Sequence, residues 1–150
     1  MATDADFTEH LSLAEVAKRV PHSGVCLLSA LPFHRIGTQQ PPDVWLAVER
    51  RAARPASMNP QLRVVRMSGP AFSEGIEERQ IEGVRVRAYC PAKTVVDCFK
   101  FRNKVGLDVA LEALRDGWRS RKVKMDDLVR FARVCRVEKV MRPYLESLTR

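Results

Sequence analysis

The sequence predicts an α+β domain, a small and mostly antiparallel sheet of about four strands packed by N-terminal helices and a C-terminal helical region. Three observations carry that expectation. The strand-like segments fall together, between Asp43 and Tyr89, and two of them form a hairpin, which is the pattern of α+β rather than of alternating βαβ units. From Pro91 onward apolar residues recur at helical spacing. The chain has 150 residues, 45% hydrophobic and 29% charged, enough for one domain with a real core. A single unit over 1–150 is therefore expected, with 1–10 as a flexible arm.

Each element has a local reason. Ser12 and Glu15 have capping-box spacing, and Leu13, Val16, Ala17 and Val20 follow on one helical face until Pro21 and Gly24 end it. "GVCLLSALPFHR" is apolar almost all round and reads as a buried helix of two to three turns, with a strand as the alternative. "IGTQQPP" is a loop. Asp43–Arg50 alternates as a strand, with Trp45 and Ala47 giving it a second apolar face. Leu62–Ser68 is another strand, stopped by Gly69-Pro70 ahead of a short turn. In "IEERQIEGVRVRAY", Glu82-Gly83 is the hairpin turn, and Val84, Val86 and Ala88 oppose Arg85, Arg87 and Tyr89.

Pro91 suits a first helical turn, and Val95, Val96, Phe99 and Asn103 form a stripe. Asn103–Gly106 reads as a break. Leu107, Ala110, Leu111, Leu114 and Trp118 make the face of the next helix. Leu128, Phe131, Ala132 and Cys135 mark the third, with Asp126 and Asp127 at its positive end. Val137, Val140, Met141, Tyr144, Leu145 and Leu148 mark the last, with Pro143 separating or kinking it.

Composition excludes several classes. No apolar run approaches the ~20 residues needed to span a bilayer, so no membrane role is expected. The first ten residues carry Asp4, Asp6 and Glu9 and no basic residue, unlike a targeting peptide, so the expected compartment is the cytoplasm. Cys26, Cys90, Cys98 and Cys135 include no CxxC pair and lie apart from the three histidines. Reduced thiols are expected, with no metal and no cofactor. There is no Walker A loop, GxGxxG, HExxH or GxSxG, so no enzyme class is indicated.

Charge is the stronger clue. The net charge is +8, and residues 76–150 hold eighteen Lys and Arg against eleven Asp and Glu. Arg115, Arg119, Arg121, Lys122, Lys124, Arg130, Arg133, Arg136 and Lys139 form a basic array. If the helices bearing them are antiparallel neighbours, their polar faces merge into a patch that contacts phosphates without reading sequence. The alternative is a solvated face. Few aromatics interleave, which disfavours a single-strand stacking platform.

Lys93, Thr94 and Asp97 are the other candidates. Lys93 and Asp97 share a helix face at i,i+4, with Thr94 on the next row. They read either as an ordinary pair and a first-turn hydrogen bond, or as a polar cluster facing a ligand or partner. An uncharacterised nucleic-acid enzyme would use Lys93 and Asp97.

"CPAKTVVDCFKFRNKVGLDVALEAL", preceded by "LRVVRMSG" and "IEGVRVRAYC" and further upstream by "SLAEVAKRVPHSGVCLLSAL", resembles the C-terminal domain of the AbiEi antitoxins. The resemblance spans about Phe7 to Leu148. It implies the non-enzymatic antitoxin half of a bacterial type IV toxin–antitoxin (abortive infection) system, countering a nucleotidyltransferase-like toxin without a stable complex. It also implies transcriptional regulation, assigned in the family mainly to an N-terminal winged helix-turn-helix. That element lies outside the resembling stretch, which reads either as a fragment or as a stand-alone antitoxin-like domain, and the resemblance leaves autorepression by this chain open. The family phrase usually begins Ser-Pro. Cys90 stands in the serine position and is a poor cap, which leaves the helix start to packing. Lys93, Thr94 and Asp97 match the phrase, as a fixing of helix against sheet or as a functional surface. Nothing in the sequence sets an oligomeric state.

Overall fold

The computed structural model describes residues 13–56 and 61–149. The expected 1–10 arm and the Ser12 half of the capping box lie outside the described residues.

The architecture is α+β, as expected, but the sheet is larger and mixed. It has five strands in the order β3-β2-β1-β5-β4, where β1 is Gly24–Val25, β2 Val44–Glu49, β3 Leu62–Met67, β4 Ile76–Ile81 and β5 Val84–Tyr89. The β4–β5 hairpin and the β1–β2 pair are antiparallel, while β2–β3 and β1–β5 are parallel. The expectation of about four mostly antiparallel strands is corrected on both points. β1 is two residues at the head of a continuous apolar run, too short for periodicity to separate from the helix behind it. β2 and β3 are consecutive in the chain, but the long 50–61 connection lets the second return in the same direction as the first.

Helix α1 covers 13–19, and α2 (Leu27–Phe33) follows β1 directly. After β3 comes one short turn, α3 (Pro70–Ser73). The C-terminal half is α4 (Pro91–Lys100), α5 (Arg102–Val105), α6 (Leu107–Arg119), α7 (Met125–Val134) and α8 (Glu138–Leu148). The expected break at Asn103–Gly106 narrows to Phe101 and Gly106, with α5 between them. The Pro143 expectation of a separate segment fails, since α8 runs through it.

Alternation along the strands builds two cores. Trp45 and Ala47 of β2, with Tyr89 of β5, face a large cluster made with α2, α4, α6, α7 and α8. Val44 and Leu46, with Val86 and Ala88, face a smaller cluster covered by Leu13 and Val16 of α1. Both faces of the central strands are therefore buried, and β5 is half-buried only in its first residues. Tyr89 was expected on the polar side and is 0% exposed, because α4 covers that end of the sheet.

α4 is the centre of the domain. Eight of its ten residues are buried, and it packs against α2, α6 and α7. A helix covered on nearly every side is normally apolar throughout, yet this one carries Lys93, Thr94 and Asp97. The buried face of α6 is Val109, Ala110, Ala113, Leu114 and Gly117. It is rotated from the expected stripe, so that Leu107 is 40% exposed.

Candidate functional site

The Lys93–Thr94–Asp97 trio is closed. All three are 0% exposed. Lys93 Nζ donates to both Asp97 carboxylate oxygens, at 2.9 and 2.8 Å. It also sits 4.2 Å from the centroid of the Tyr89 ring, a cation–π contact strengthened by the dry surroundings. The Cys135 thiol, from the end of α7, donates to Asp97 Oδ1 at 3.6 Å. Thr94 Oγ1 donates to the Tyr89 carbonyl at 3.2 Å, an oxygen that His34 Nε2 also approaches at 2.6 Å. The Tyr89 hydroxyl donates to the Phe72 carbonyl at 2.6 Å. Every polar group of the trio thus has a partner inside the fold, as a buried charge requires.

This arrangement corrects one of the two sequence readings. A functional surface at Lys93, Thr94 and Asp97 is not present, because no solvent or substrate reaches them. Burial pushes the Asp97 carboxyl up from the ordinary carboxylate range, and the adjacent Lys93 ammonium pulls the other way. Burial likewise raises the thiols of Cys26 and Cys98, and lifts Cys135 to about 11. None is an activated thiolate. All four cysteines are free, and among the described residues no group of three His, Cys, Asp or Glu is placed to hold a metal.

The members of the basic array differ in what they touch. α6 and α7 both pack against α4. Arg115 and Arg119 line a concavity of about 470 Å³ together with Asp108, Glu112 and Asp116, a mixed-sign surface. Lys122 is committed to structure, donating to the carbonyls of His34 and Arg35 at 2.8 Å each. Arg133 pairs with Glu138 at 3.3 Å across the α7–α8 turn. Arg130 lies over the Phe131 ring, its guanidinium carbon 4.4 Å from the centroid. Arg121, Lys124, Arg136 and Lys139 are exposed and make no ion pair with a described carboxylate.

Two further concavities escaped the sequence. One of about 370 Å³ lies between α7 and α8, floored by Met125, Val129, Ala132 and Leu145 and rimmed by charges of both signs. The other, about 540 Å³, lies between the end of α1, the end of β2 and the loop after it. Glu49 lines it, with Oε2 buried and without a hydrogen-bond partner among the described residues. That oxygen is shut off from solvent, so it is not presented to the concavity.

No family model matches the chain, and no curated protein matches it. Among the described residues, no helix is long and apolar enough to cross a membrane.

Proposed function

We propose that the chain is a non-enzymatic antitoxin or transcriptional-regulator domain of a bacterial type IV toxin–antitoxin system, acting in the cytoplasm against a nucleotidyltransferase-like toxin and forming no stable complex with it. The observation that supports this reading is where the AbiEi-like words lie. "PAKTVVD" is the buried heart of α4, and "GLDVALEAL" is the α6 segment packed on it. A likeness there is a likeness of the core and its polar lock, not of one exposed motif. The closed Lys93–Asp97 pair also favours a role without catalysis. Co-expression with a nucleotidyltransferase-like toxin, taken from beside the gene where one is encoded there, tests it. Restored colony counts are expected, and no rescue by a soluble, folded chain would overturn the reading.

A second reading is a nucleic-acid-binding module. It is favoured by Arg121, Lys124, Arg136 and Lys139, which stand exposed without a described carboxylate partner. Its mark is binding that weakens steeply with salt, because counterions leave the phosphates on association. Binding that is absent, or flat with salt, sinks it.

A further inference from the structure

Three helices of this chain end alike. After α2, the N–H groups of Ile36 and Arg35 donate to the carbonyls of Leu31 at 2.9 Å and Pro32 at 3.0 Å. After α6, Lys122 and Arg121 donate to Gly117 at 2.9 Å and Trp118 at 3.1 Å. After α7, Val137 and Arg136 donate to Ala132 at 2.9 Å and Arg133 at 3.1 Å. This is the Schellman closure, which turns on one residue in the left-handed conformation, usually glycine. Here the pivots are Arg35, Arg121 and Arg136, with φ of 57°, 61° and 60°. All three are exposed. A side chain at each pivot opposes the backbone it sits on, so an arginine there costs stability that a glycine would not.

Two of the pivots are brought to one corner. Lys122, the residue after Arg121, reaches across to the carbonyls of His34 and Arg35, at 2.8 Å each. The loop beyond Arg35 is fixed along α6 in the same way. Gly37 N–H donates to Asp116 at 2.7 Å, and Thr38 N–H donates to Glu112 at 2.9 Å. Arg119 opens onto that same Gly37–Thr38 loop. Of the acids on that concavity, Asp116 and Glu112 accept from these backbone amides and Asp108 stands beside them, while Arg35, Arg119 and Arg121 make no ion pair with a described carboxylate.

We propose that this corner, Arg35 with Arg119 and Arg121, grips the sugar–phosphate backbone of a nucleic-acid duplex. The proposal rests on the nucleic-acid reading above and narrows it, adding Arg35 and setting aside most of the α7–α8 cations. Arginine suits the task because its planar fork meets phosphate oxygens in pairs. A duplex is indicated over a single strand because the aromatic neighbour, Trp118, is half-buried in the core and offers no stacking platform. Strained residues retained at a surface are a pointer to function.

Arg→Gly is the informative substitution here. It removes a charge and relieves the backbone, so the variants fold at least as well, which thermal melting checks. The probes are short labelled DNA and RNA duplexes of arbitrary sequence and a single strand of the same length, read by fluorescence anisotropy across a salt series. Arg35→Gly/Arg121→Gly is expected to bind a duplex roughly tenfold more weakly at moderate salt, with a log–log salt slope shallower by about two. Arg136→Gly makes one such change of backbone and charge at the other end of α7, and is expected to weaken binding less than about twofold, where Arg35→Gly or Arg121→Gly alone weakens it roughly threefold. Unchanged binding in the double variant, an equal loss in Arg136→Gly, or preference for the single strand overturns the proposal. Failure of the unmodified protein to bind any duplex instead removes the nucleic-acid reading itself.

Discussion

Lys93 Nζ lies 2.8 Å from Asp97 Oδ2, one helical turn away, and neither side chain is reached by solvent. The pair is internal to α4, and outside the helix it touches Tyr89, Met67 and Cys135. Removing one leaves the other buried without its ion-pair partner, at a cost of about 3–5 kcal/mol. Asp97→Ala and Lys93→Met should each lose that much in urea denaturation. Lys93→Met/Asp97→Leu replaces both by apolar groups of similar volume and should recover most of the loss, because two desolvated charges give way to ordinary packing. A double variant as unstable as the singles would show that the pair is not an isolated couple.

Gly75 closes the same network from the sheet side. Its φ is +86°, and a Cβ there would stand 2.9 Å from Lys93 Cβ and 3.1 Å from Phe131 Cε1. Its carbonyl also accepts the Cys90 N–H at 2.7 Å. Gly75→Ala therefore combines backbone strain of roughly 1–2 kcal/mol with overpacking of roughly 1–3 kcal/mol. Gly83, at the hairpin turn, has φ +75° but open space around its Cβ position. Gly83→Ala should show the backbone cost alone, roughly 1–2 kcal/mol. Chemical denaturation of the two variants side by side checks the difference, and equal losses would mean that Lys93 and Phe131 yield without cost.

Much of the fold was legible because it follows from period and punctuation. The Glu82-Gly83 hairpin, the doubly buried β2 and the helices after Pro91 all declare themselves in alternation, in 3.6-residue spacing, or in turn residues. β1 did not, because two residues at the head of "GVCLLSAL" carry no period of their own. Parallel pairing of β2 with β3 did not either, because direction is set by a loop whose sequence is only basic and irregular.

The candidate site was legible in its residues but not in its setting. Lys93 and Asp97 are visibly one turn apart, yet their burial depends on Tyr89, Cys135 and Met67, which converge from three other segments. Charge at i,i+4 is usual on an exposed face, so sequence alone favours the wrong surroundings. Arg35 was missed for a similar reason. It lies far upstream of the basic array, and only the Lys122 staple reveals that the two are neighbours.

His34 gives the fold a pH dependence of definite sign. Burial lowers its pKa below the ordinary 6.5, and the hydrogen bond to the Tyr89 carbonyl only partly opposes this. In the neutral form Nε2 carries the proton and donates to that carbonyl, 2.6 Å away. Above the unfolded pKa of about 6.5 both states are neutral and the group contributes no slope. As pH falls below it, the unfolded chain takes up a proton before the folded one does, so stability declines until the folded pKa is passed. A loss beginning near pH 6.5 should appear in denaturation midpoints measured from pH 7.5 to 5. His34→Gln keeps an N–H donor and does not titrate, so it should flatten that decline. An unaltered decline would place its origin in another group.

Cys90 offers a gain rather than a loss. It is the N-cap of α4, its φ of −64° and ψ of 165° are those of a capping residue, and its side chain makes no capping hydrogen bond. The Lys93 backbone N–H faces the sulfur closely enough to draw the thiol pKa down against the larger upward effect of burial. A hydroxyl oxygen at that place is a far better acceptor, and serine is the residue that the AbiEi-like phrase usually carries there. Cys90→Ser should therefore accept from the Lys93 N–H and stabilise the protein by about 0.5–1 kcal/mol. Cys90→Ala removes the sulfur without supplying a cap and should bring no such gain. Paired urea titrations of the two variants separate capping from the mere removal of a half-buried thiol. If alanine stabilises as much as serine, the helix start is held by packing from Pro91 onward, and the cap position contributes little.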